Sequence, residues 1–191
     1  MVAVKIGVLA LQGDVREHIR LLAAVGATPI AVRHAEEVFS VDALVLPGGE
    51  STTIGKLLDR FELLQPLNQR VREGMPIFGT CAGMILMARD IVGHEDAPKR
   101  LGVMDITVRR NAYGRQVDSF EADLPVTGLE EPLTAVFIRA PVVEHVGDGV
   151  EVLAVCEDRP VLLRQGHLLA SSFHPEIAGD PRLHALFLEM I

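Results

Sequence analysis

The segment MPIFGTCAGMILMARDI, residues 75–91, decides the fold, because an apolar strand-like run passes into a helix-like run through a glycine-flanked cysteine. The run PIFGTC predicts a buried strand, and a helix is predicted from Ala82 to about Ile91. Gly79 and Gly83 each lie two residues from Cys81, which is the layout of a nucleophile elbow, where glycines relieve crowding. Such a turn would hold the Cys81 sulfur at a helix N-terminus, where backbone N–H groups favour the thiolate.

Strand-like and helix-like segments also alternate on the N-terminal side of this segment. Residues 4–11, 28–33 and 43–49 predict buried strands. The helix after the first strand is predicted to have Asp14 and Glu17 as a capping box and to end at Gly26. Its inward face would carry Val15, Ile19, Leu22 and Ala23, and that of the segment STTIGKLLDRF would carry Ile54, Leu57, Leu58 and Phe61.

The second half of the chain is richer in β-structure. From about residue 101, short β-rich runs separated by turn signals predict antiparallel additions and one returning strand. A last helix, DPRLHALFLEMI, would begin at Asp180 and Pro181 and bury Leu183, Leu186, Phe187 and Met190. The sequence therefore predicts one α/β domain over residues 1–191: a three-layer, open, mostly parallel sheet with helices on both faces and antiparallel additions in the second half.

Composition limits the partners and the compartment. The 191 residues carry 26 acidic against 18 basic side chains, a formal net charge of -8, which argues against binding to nucleic acid or to an anionic membrane. Two cysteines, Cys81 and Cys156, make no disulfide framework and favour a reducing, cytoplasmic location. The N-terminal apolar run is short and broken by Lys5, so it predicts neither a signal peptide nor a membrane span.

A thiol nucleophile needs a base and a group that orients the base. His174 follows the apolar run LLASSF directly and should emerge at the edge of the sheet, and Glu176 could hold one of its ring nitrogens. The other six histidines are interpreted as solvated or packed side chains, and Cys156 as a packing residue. No His or Cys spacing typical of zinc ligands is present, so neither a metal nor a cofactor is expected.

The segment LPGGEST, residues 46–52, follows another predicted strand. Its flexible turn could supply backbone N–H donors for an oxyanion, or it could be an ordinary turn with Ser51 as helix N-cap. A phosphate site also stays open, although the segment lacks the lysine and spacing of a P-loop.

Together LPGGEST, FGTCAGMILMA and SFHPE resemble the motifs of the triad-type (class I) glutamine amidotransferases. More narrowly, GVLALQGDVREH, RRNAYGRQVDSFEADL and VFIRAP resemble the glutaminase subunits of pyridoxal 5'-phosphate synthases. The resemblance extends from about Ile6 to Phe187.

This resemblance implies hydrolysis of L-glutamine to glutamate and ammonia by a triad of Cys81, His174 and Glu176. It implies oxyanion donors at Ala82 and in the Gly48-Gly49 turn. It also implies glutamine contacts at positions matching Gly49, Glu50, Ser51, Arg110, Ile138 and Arg139. The implied partner is a separate pyridoxal 5'-phosphate synthase subunit that receives ammonia internally and activates the glutaminase on docking. The Leu11 to Asp14 stretch would lie near the docking face, where Gln12 could help to complete the site.

Three other functions stay open at this point. The chain could be the glutaminase of another biosynthetic pathway, such as imidazole glycerol phosphate synthesis. It could be a cysteine peptidase or deglycase on a related α/β sheet. It could also be a non-catalytic adaptor, although the intact set of Cys81, His174 and Glu176 gives that reading little support.

Overall fold

The computed structural model describes residues 4–93, 97–110 and 119–191. Strand β4 (Ile77–Thr80), which leads into Cys81, lies at the centre of a seven-stranded sheet. Its neighbours are β3 (Ala43–Leu46) and β12 (Leu168–Ser171), and both pair with it in parallel. Every residue of these three strands is buried, which explains why each reads as a continuous apolar or small-residue run.

The sheet extends in different ways at its two edges. On one side β1 (Lys5–Leu9) pairs in parallel with β3 and with the edge strand β2 (Thr28–Val32). On the other side β11 (Arg159–Gln165) pairs antiparallel with β12, and β10 (Glu151–Cys156) antiparallel with β11. The strand order is β10-β11-β12-β4-β3-β1-β2. The predicted mostly parallel sheet with antiparallel additions from the second half is therefore confirmed.

Two smaller sheets flank the large one. The first contains β5 (Ala88–Val92), β6 (Met104–Arg109) and β9 (Val142–Val146). The second is an antiparallel pair, β7 (Ser119–Leu124) and β8 (Leu133–Ile138).

Helices cover both faces of the large sheet, as predicted. They are α1 (Val15–Ala24), α2 (Ala35–Val38), α3 (Ser51–Arg60), α4 (Leu64–Arg72), α5 (Ala82–Met87), α6 (Pro175–Ala178) and α7 (Arg182–Leu188). Ile77 packs on one face with Ile54 and Leu67, whereas the next residue, Phe78, packs on the other with Leu22 and Phe187. This alternation along one strand creates two hydrophobic cores, one on each side of the sheet. Within the described ranges, no helix is long and apolar enough to cross a membrane.

The helix after Cys81 is shorter than predicted. It ends at Met87, and residues that were expected to continue it, such as Ile91, belong to β5. The carbonyl oxygen of Leu86 accepts the N–H of Leu101 at 2.9 Å, so a distant segment takes the place of the next helical turn. This contact is tertiary, and helical periodicity alone could not reveal it.

The inward faces of α1 and α3 also differ from the prediction. Ala23 is exposed and His18 is fully buried in α1, and Phe61, just after α3, is 44% exposed. His18 lies four residues before Leu22 and shares its face, but a search for apolar spacing passes over a polar residue. The predicted capping box is wrong, since the Asp14 side chain makes no bond to the helix N-terminus.

Substitution of Gly83 tests how closely α5 approaches β3. A Cβ atom on Gly83 would overlap the carbonyl oxygen of Leu46, which is fixed in the sheet. We expect Gly83→Ala to lower the free energy of unfolding by at least ~2 kcal/mol, as overpacking does. Gly149→Ala is the control, because its Cβ would meet only Gln165 Nε2 at 3.9 Å. Equal urea midpoints for the two variants would contradict this close packing.

Candidate active site

The backbone of Cys81 is held in a strained conformation at the junction of β4 and α5. Its φ of 48° and ψ of -101° lie outside the regions that L-residues prefer. The N–H of Cys81 donates to the carbonyl of Ser171 at 2.8 Å, so the pairing of β4 with β12 extends into the turn. A Cβ on Gly79 would lie 2.5 Å from Met87 Sδ, and one on Gly83 would overlap Leu46. Both glycines are thus required by close approach, as the elbow predicts.

His174 and Glu176 follow β12, the strand beside β4. His174 Nδ1 lies 2.6 Å from Glu176 Oε1, and the two side chains are 6% and 0% exposed. The N–H of His174 donates to the carbonyl of Val136 at 2.8 Å, which fixes its backbone to β8. Pro175 is the first residue of α6, a position that suits proline because its missing N–H needs no partner there.

The charges around His174 favour its protonated form. Burial alone would lower the pKa of His174, but hydrogen bonds with Asp14, Cys81 and Glu176 raise it to about 12. Burial raises the pKa of Glu176, and the hydrogen bond and charge of His174 oppose that effect. The geometry therefore supports an imidazolium that is held between a carboxylate and the Cys81 sulfur.

Cys81 and His174 face a common cavity of about 430 Å³, a volume suited to a small metabolite. Every predicted glutamine contact also lines it: Gly49, Glu50, Ser51, Arg110, Ile138 and Arg139. Ala82 lines the cavity as well, whereas Glu176 lies behind His174 and Gly48 lies against the His174 ring. The structure thus brings together residues from five separate parts of the chain.

Glu50 and Arg110 form a polar wall of this cavity. Glu50 is the N-cap of α3, and not Ser51, which was one alternative for this turn. The carboxylate of Glu50 accepts the N–H groups of Thr52 and Thr53 at 2.9 and 2.7 Å. Burial would raise the pKa of Glu50, but the hydrogen bonds from Thr53 and Thr52 lower it to about 2. Arg110 Nη2 donates to Thr52 Oγ1 at 3.0 Å and lies 3.5 Å from Glu50 Oε1.

The segment between β1 and α1 covers one side of the cavity. The side-chain oxygen of Gln12 accepts the N–H of Glu50 at 2.8 Å, and the N–H of Asp14 donates to the carbonyl of Gly48 at 3.1 Å. Asp14 Oδ2 lies 3.4 Å from His174 Nδ1, so this carboxylate faces the histidine instead of capping α1. The resemblance indicated Gln12 here and placed Asp14 near the docking face, but neither it nor the capping pattern predicted a contact between Asp14 and His174.

The N–H groups of the Gly48-Gly49 turn do not all face the cavity. The N–H of Gly48 donates to Thr80 Oγ1 at 3.1 Å, so this predicted oxyanion donor is already occupied. The carbonyl of Gly48 is held by Asp14, and in a trans peptide the N–H of Gly49 points to the opposite side. Of the two predicted donors in the turn, Gly49 therefore stays a candidate and Gly48 does not.

One group of described residues has the donor atoms of a metal site. The ligand atoms of Asp14, His174 and Glu176 all lie within 4.8 Å of one another. The shortest of these contacts is the 2.6 Å hydrogen bond between His174 and Glu176, which already uses the imidazole nitrogen that a metal would need. This cluster is therefore better described as a hydrogen-bonded imidazole with two carboxylates.

A buried polar cluster behind the triad was missed by the sequence analysis. His18 Nδ1 lies 2.8 Å from His184 Nε2, and His18 Nε2 lies 3.2 Å from Thr80 Oγ1 and 3.5 Å from Glu176 Oε2. Both histidines are fully buried. Their helical spacing from Leu22 and Phe187, four and three residues away, is the signal that could have placed them inward.

Part of the stretch that carries the narrower resemblance lies outside the described residues. Residues 111–118, NAYGRQVD, fall in this gap, whereas Arg110 before it is described.

Comparisons with known proteins give one consistent result. A model of the SNO glutamine amidotransferase family matches residues 8–191. A pyridoxal 5'-phosphate synthase subunit PdxT from Frankia casuarinae is 62% identical over 98% of this chain and 94% of its own length. The subunit of the same name from Mycobacteroides abscessus is 58% identical over 97% and 96%. A crystal structure of a glutamine amidotransferase superposes with a TM-score of 0.92 at 55% identity and covers 97% of both chains.

The buried His184 predicts a loss of stability in acid. Burial lowers the pKa of His184 to about 4, against the opposing charge of Asp180, whereas an unfolded histidine titrates near ~6.5. Between these values the unfolded chain binds more protons, so stability falls as the pH falls through this window, by about 3 kcal/mol at most.

His184→Gln removes this titration and should make the free energy of unfolding fall less steeply between pH 7 and pH 4, while His18, whose pKa burial also lowers, keeps its own contribution. Urea denaturation at several pH values measures it. His145→Gln, at an exposed position of β9, is the control for replacing a histidine by glutamine. Parallel pH curves for wild type and His184→Gln would contradict the prediction.

Proposed function

Because the chain belongs to the SNO glutamine amidotransferase family, we propose that Cys81, His174 and Glu176 hydrolyse the side-chain amide of L-glutamine to glutamate and ammonia. One observation carries the proposal: His174 is hydrogen-bonded to buried Glu176 and faces the same cavity as Cys81, which is raised on a strained turn. Nucleophile, base and orienting group are thereby arranged as covalent acyl transfer requires.

In the first half of the reaction, the Cys81 thiolate attacks the amide carbon and forms a tetrahedral intermediate. The His174 imidazolium gives its proton to the amide nitrogen, the C–N bond breaks, and ammonia leaves behind a thioester. In the second half, neutral His174 takes a proton from water, whose oxygen attacks the thioester. The C–S bond then breaks, which restores the Cys81 thiolate beside the His174 imidazolium and releases a γ-carboxylic acid that loses its proton to water to give glutamate. Glu176 stabilises His174 whenever it is an imidazolium.

The negative oxygen of each tetrahedral intermediate needs nearby donors. We assign this role to the backbone N–H groups of Ala82, at the start of α5, and of Gly49. The N–H of Gly48 is bound to Thr80 and instead fixes the position of the turn. The loss of one such donor typically costs ~10²–10³ in turnover.

The glutamine itself would be held by the polar wall and the opposite rim of the cavity. The Arg110 guanidinium is suited to pair with the α-carboxylate of an amino acid. Gly49, Glu50, Ser51, Ile138 and Arg139 complete the contacts. The backbone carbonyl oxygen of Ile138 lies 3.9 Å from Cys81 Sγ, so Ile138 is close to the proposed nucleophile.

The names of the relatives indicate where the ammonia goes. Both are pyridoxal 5'-phosphate synthase subunits, and this chain covers nearly all of each. Ammonia in neutral water is mostly protonated and no longer nucleophilic. Internal delivery to a synthase subunit would keep it unprotonated and able to react. The chain would act as one glutamine amidotransferase domain over residues 1–191. Two free cysteines, one of them the nucleophile, favour the cytoplasm as its compartment.

The first test measures ammonia and glutamate release from L-glutamine, with the protein alone and with a pyridoxal 5'-phosphate synthase subunit added. We expect activity to rise on addition of the partner, to vanish in Cys81→Ala, and to fall at least ~10²-fold in Glu176→Gln. Cys156→Ser, which changes the other free cysteine on β10, is the control and should stay active. Glutamine hydrolysis that survives in Cys81→Ala would overturn the assignment of the nucleophile.

A second test addresses substrate binding. Arg110→Gln removes a charge-assisted contact to the α-carboxylate and should raise KM for glutamine by ~10- to 100-fold, with a smaller effect on kcat. Arg109→Gln is a matched control, because the Arg109 side chain bonds to Glu144 at 2.6 Å on the exposed face of β6. An unchanged KM for glutamine in Arg110→Gln would show that Arg110 does not bind the substrate.

A further inference from the structure

Two buried histidines lie behind the triad, and the mechanism above does not use them. His18 comes from α1 and His184 from α7, and both side chains are fully buried. Neither lines the cavity, so neither can touch glutamine. Buried polar side chains are costly unless their bonds are satisfied, so their contacts show what they can do there.

The contacts determine which ring nitrogens carry protons. Burial lowers the pKa of both imidazoles, so each is neutral and carries one proton. A proton on His18 Nε2 faces Glu176 Oε2 and Thr80 Oγ1, and His184 Nε2–H then donates to His18 Nδ1. The opposite arrangement would bury an N–H at His184 Nδ1, which has no partner among the described residues. It would also set a lone pair of His18 against the carboxylate.

Glu176 Oε2, the carboxylate oxygen that does not bond to His174, needs an N–H donor of this kind. Oε1 of Glu176 bonds to His174, but Oε2 has no hydrogen-bond partner among the residues described, and His18 Nε2 faces it at 3.5 Å. An ionised carboxylate in a water-free position is stabilised by any N–H that points at it. A protonated Glu176 would lose its ability to stabilise the His174 imidazolium.

We propose that His18, held by His184, is a positioning residue for amide hydrolysis, because it keeps the Glu176 carboxylate ionised and aligned with His174. The inference rests on the proposed triad function of Glu176.

The same imidazole also connects the triad to the oxyanion turn. Thr80 Oγ1 lies 3.2 Å from His18 Nε2 and accepts the N–H of Gly48 at 3.1 Å. A shift of His18 would therefore disturb both the base and the turn that carries Gly49. His174 and this turn act mainly on the transition state. A substitution of His18 should therefore lower kcat and leave the affinity for glutamine nearly unchanged.

A matched pair of variants separates positioning from packing. In His18→Gln the amide can reach the place of Nε2 and donate to Glu176, whereas in His18→Asn it reaches only the place of Nδ1. With the synthase subunit present, we expect His18→Asn to lose ~10- to 100-fold in kcat with KM within about twofold, and His18→Gln to recover most of the rate. A merely structural role would affect the two variants alike.

A control variant and a stability measurement accompany the pair. His167→Asn makes the same replacement at the opposite end of β4, where the carbonyl of His167 accepts the N–H of Ile77, and should keep full kcat. Thermal unfolding of every variant shows whether it is folded at the assay temperature. If His18→Asn does not fold, His184→Leu takes its place, because the His18 proton can then move to Nδ1, away from Glu176. The same loss of kcat is expected.

The alkylation rate of Cys81 by iodoacetamide at pH 7 provides a readout without glutamine or partner. We expect it to fall ~10-fold in His18→Asn and to recover in His18→Gln, because the thiolate depends on the His174 imidazolium and hence on Glu176. Wild-type kcat and alkylation in a folded His18→Asn, or equal losses in both variants, would overturn the inference. A wild-type protein that releases no ammonia with the synthase subunit would overturn the proposed function instead, and alkylation would still test His18.

Discussion

The backbone hydrogen bond from Cys81 to Ser171 is the interaction on which the rest of the site depends. It continues the parallel pairing of β4 and β12 by one residue beyond the end of β4. One strand leads to the cysteine and the other leads to His174 and Glu176. If the register of these two strands changed by one residue, the side chains would point to opposite faces and the triad could not form.

The turn at Cys81 is strained, and the surrounding packing maintains that strain. Gly79 lies against Met87 and Gly83 against the carbonyl of Leu46, so any larger residue at either position would push α5 away from the sheet. The helix can therefore begin immediately after the cysteine, with its free N–H groups close to the sulfur. The strained backbone of Cys81 and its place at the start of α5 thus have the same structural origin.

Polar groups behind the triad make the base side of the site a connected unit. Glu176 is fully buried, and it contacts His174 on one side and His18 on the other. His18 reaches Thr80, which in turn holds the Gly48 turn. In a low-dielectric interior each of these groups depends on its neighbour for a bond that water cannot supply. The proposed base and the proposed oxyanion turn are thus joined by a continuous series of contacts between protein atoms.

The sequence by itself determined the strand–helix alternation, the glycine-flanked Cys81 and the pairing of His174 with Glu176, because each of these features depends on residues that are close together in the chain. The tertiary structure decided where α5 ends, since the N–H of Leu101 bonds to the carbonyl of Leu86 in its last turn. It also decided that Asp14 faces His174, that Gly48 bonds to Thr80, and that His18 and His184 meet beneath the triad. Local patterns report the preferences of single segments, whereas the contacts of Gly48 with Thr80, of Asp14 with His174 and of His18 with His184 join groups that are 32 to 166 residues apart, and only the packing of the whole sheet brings them together.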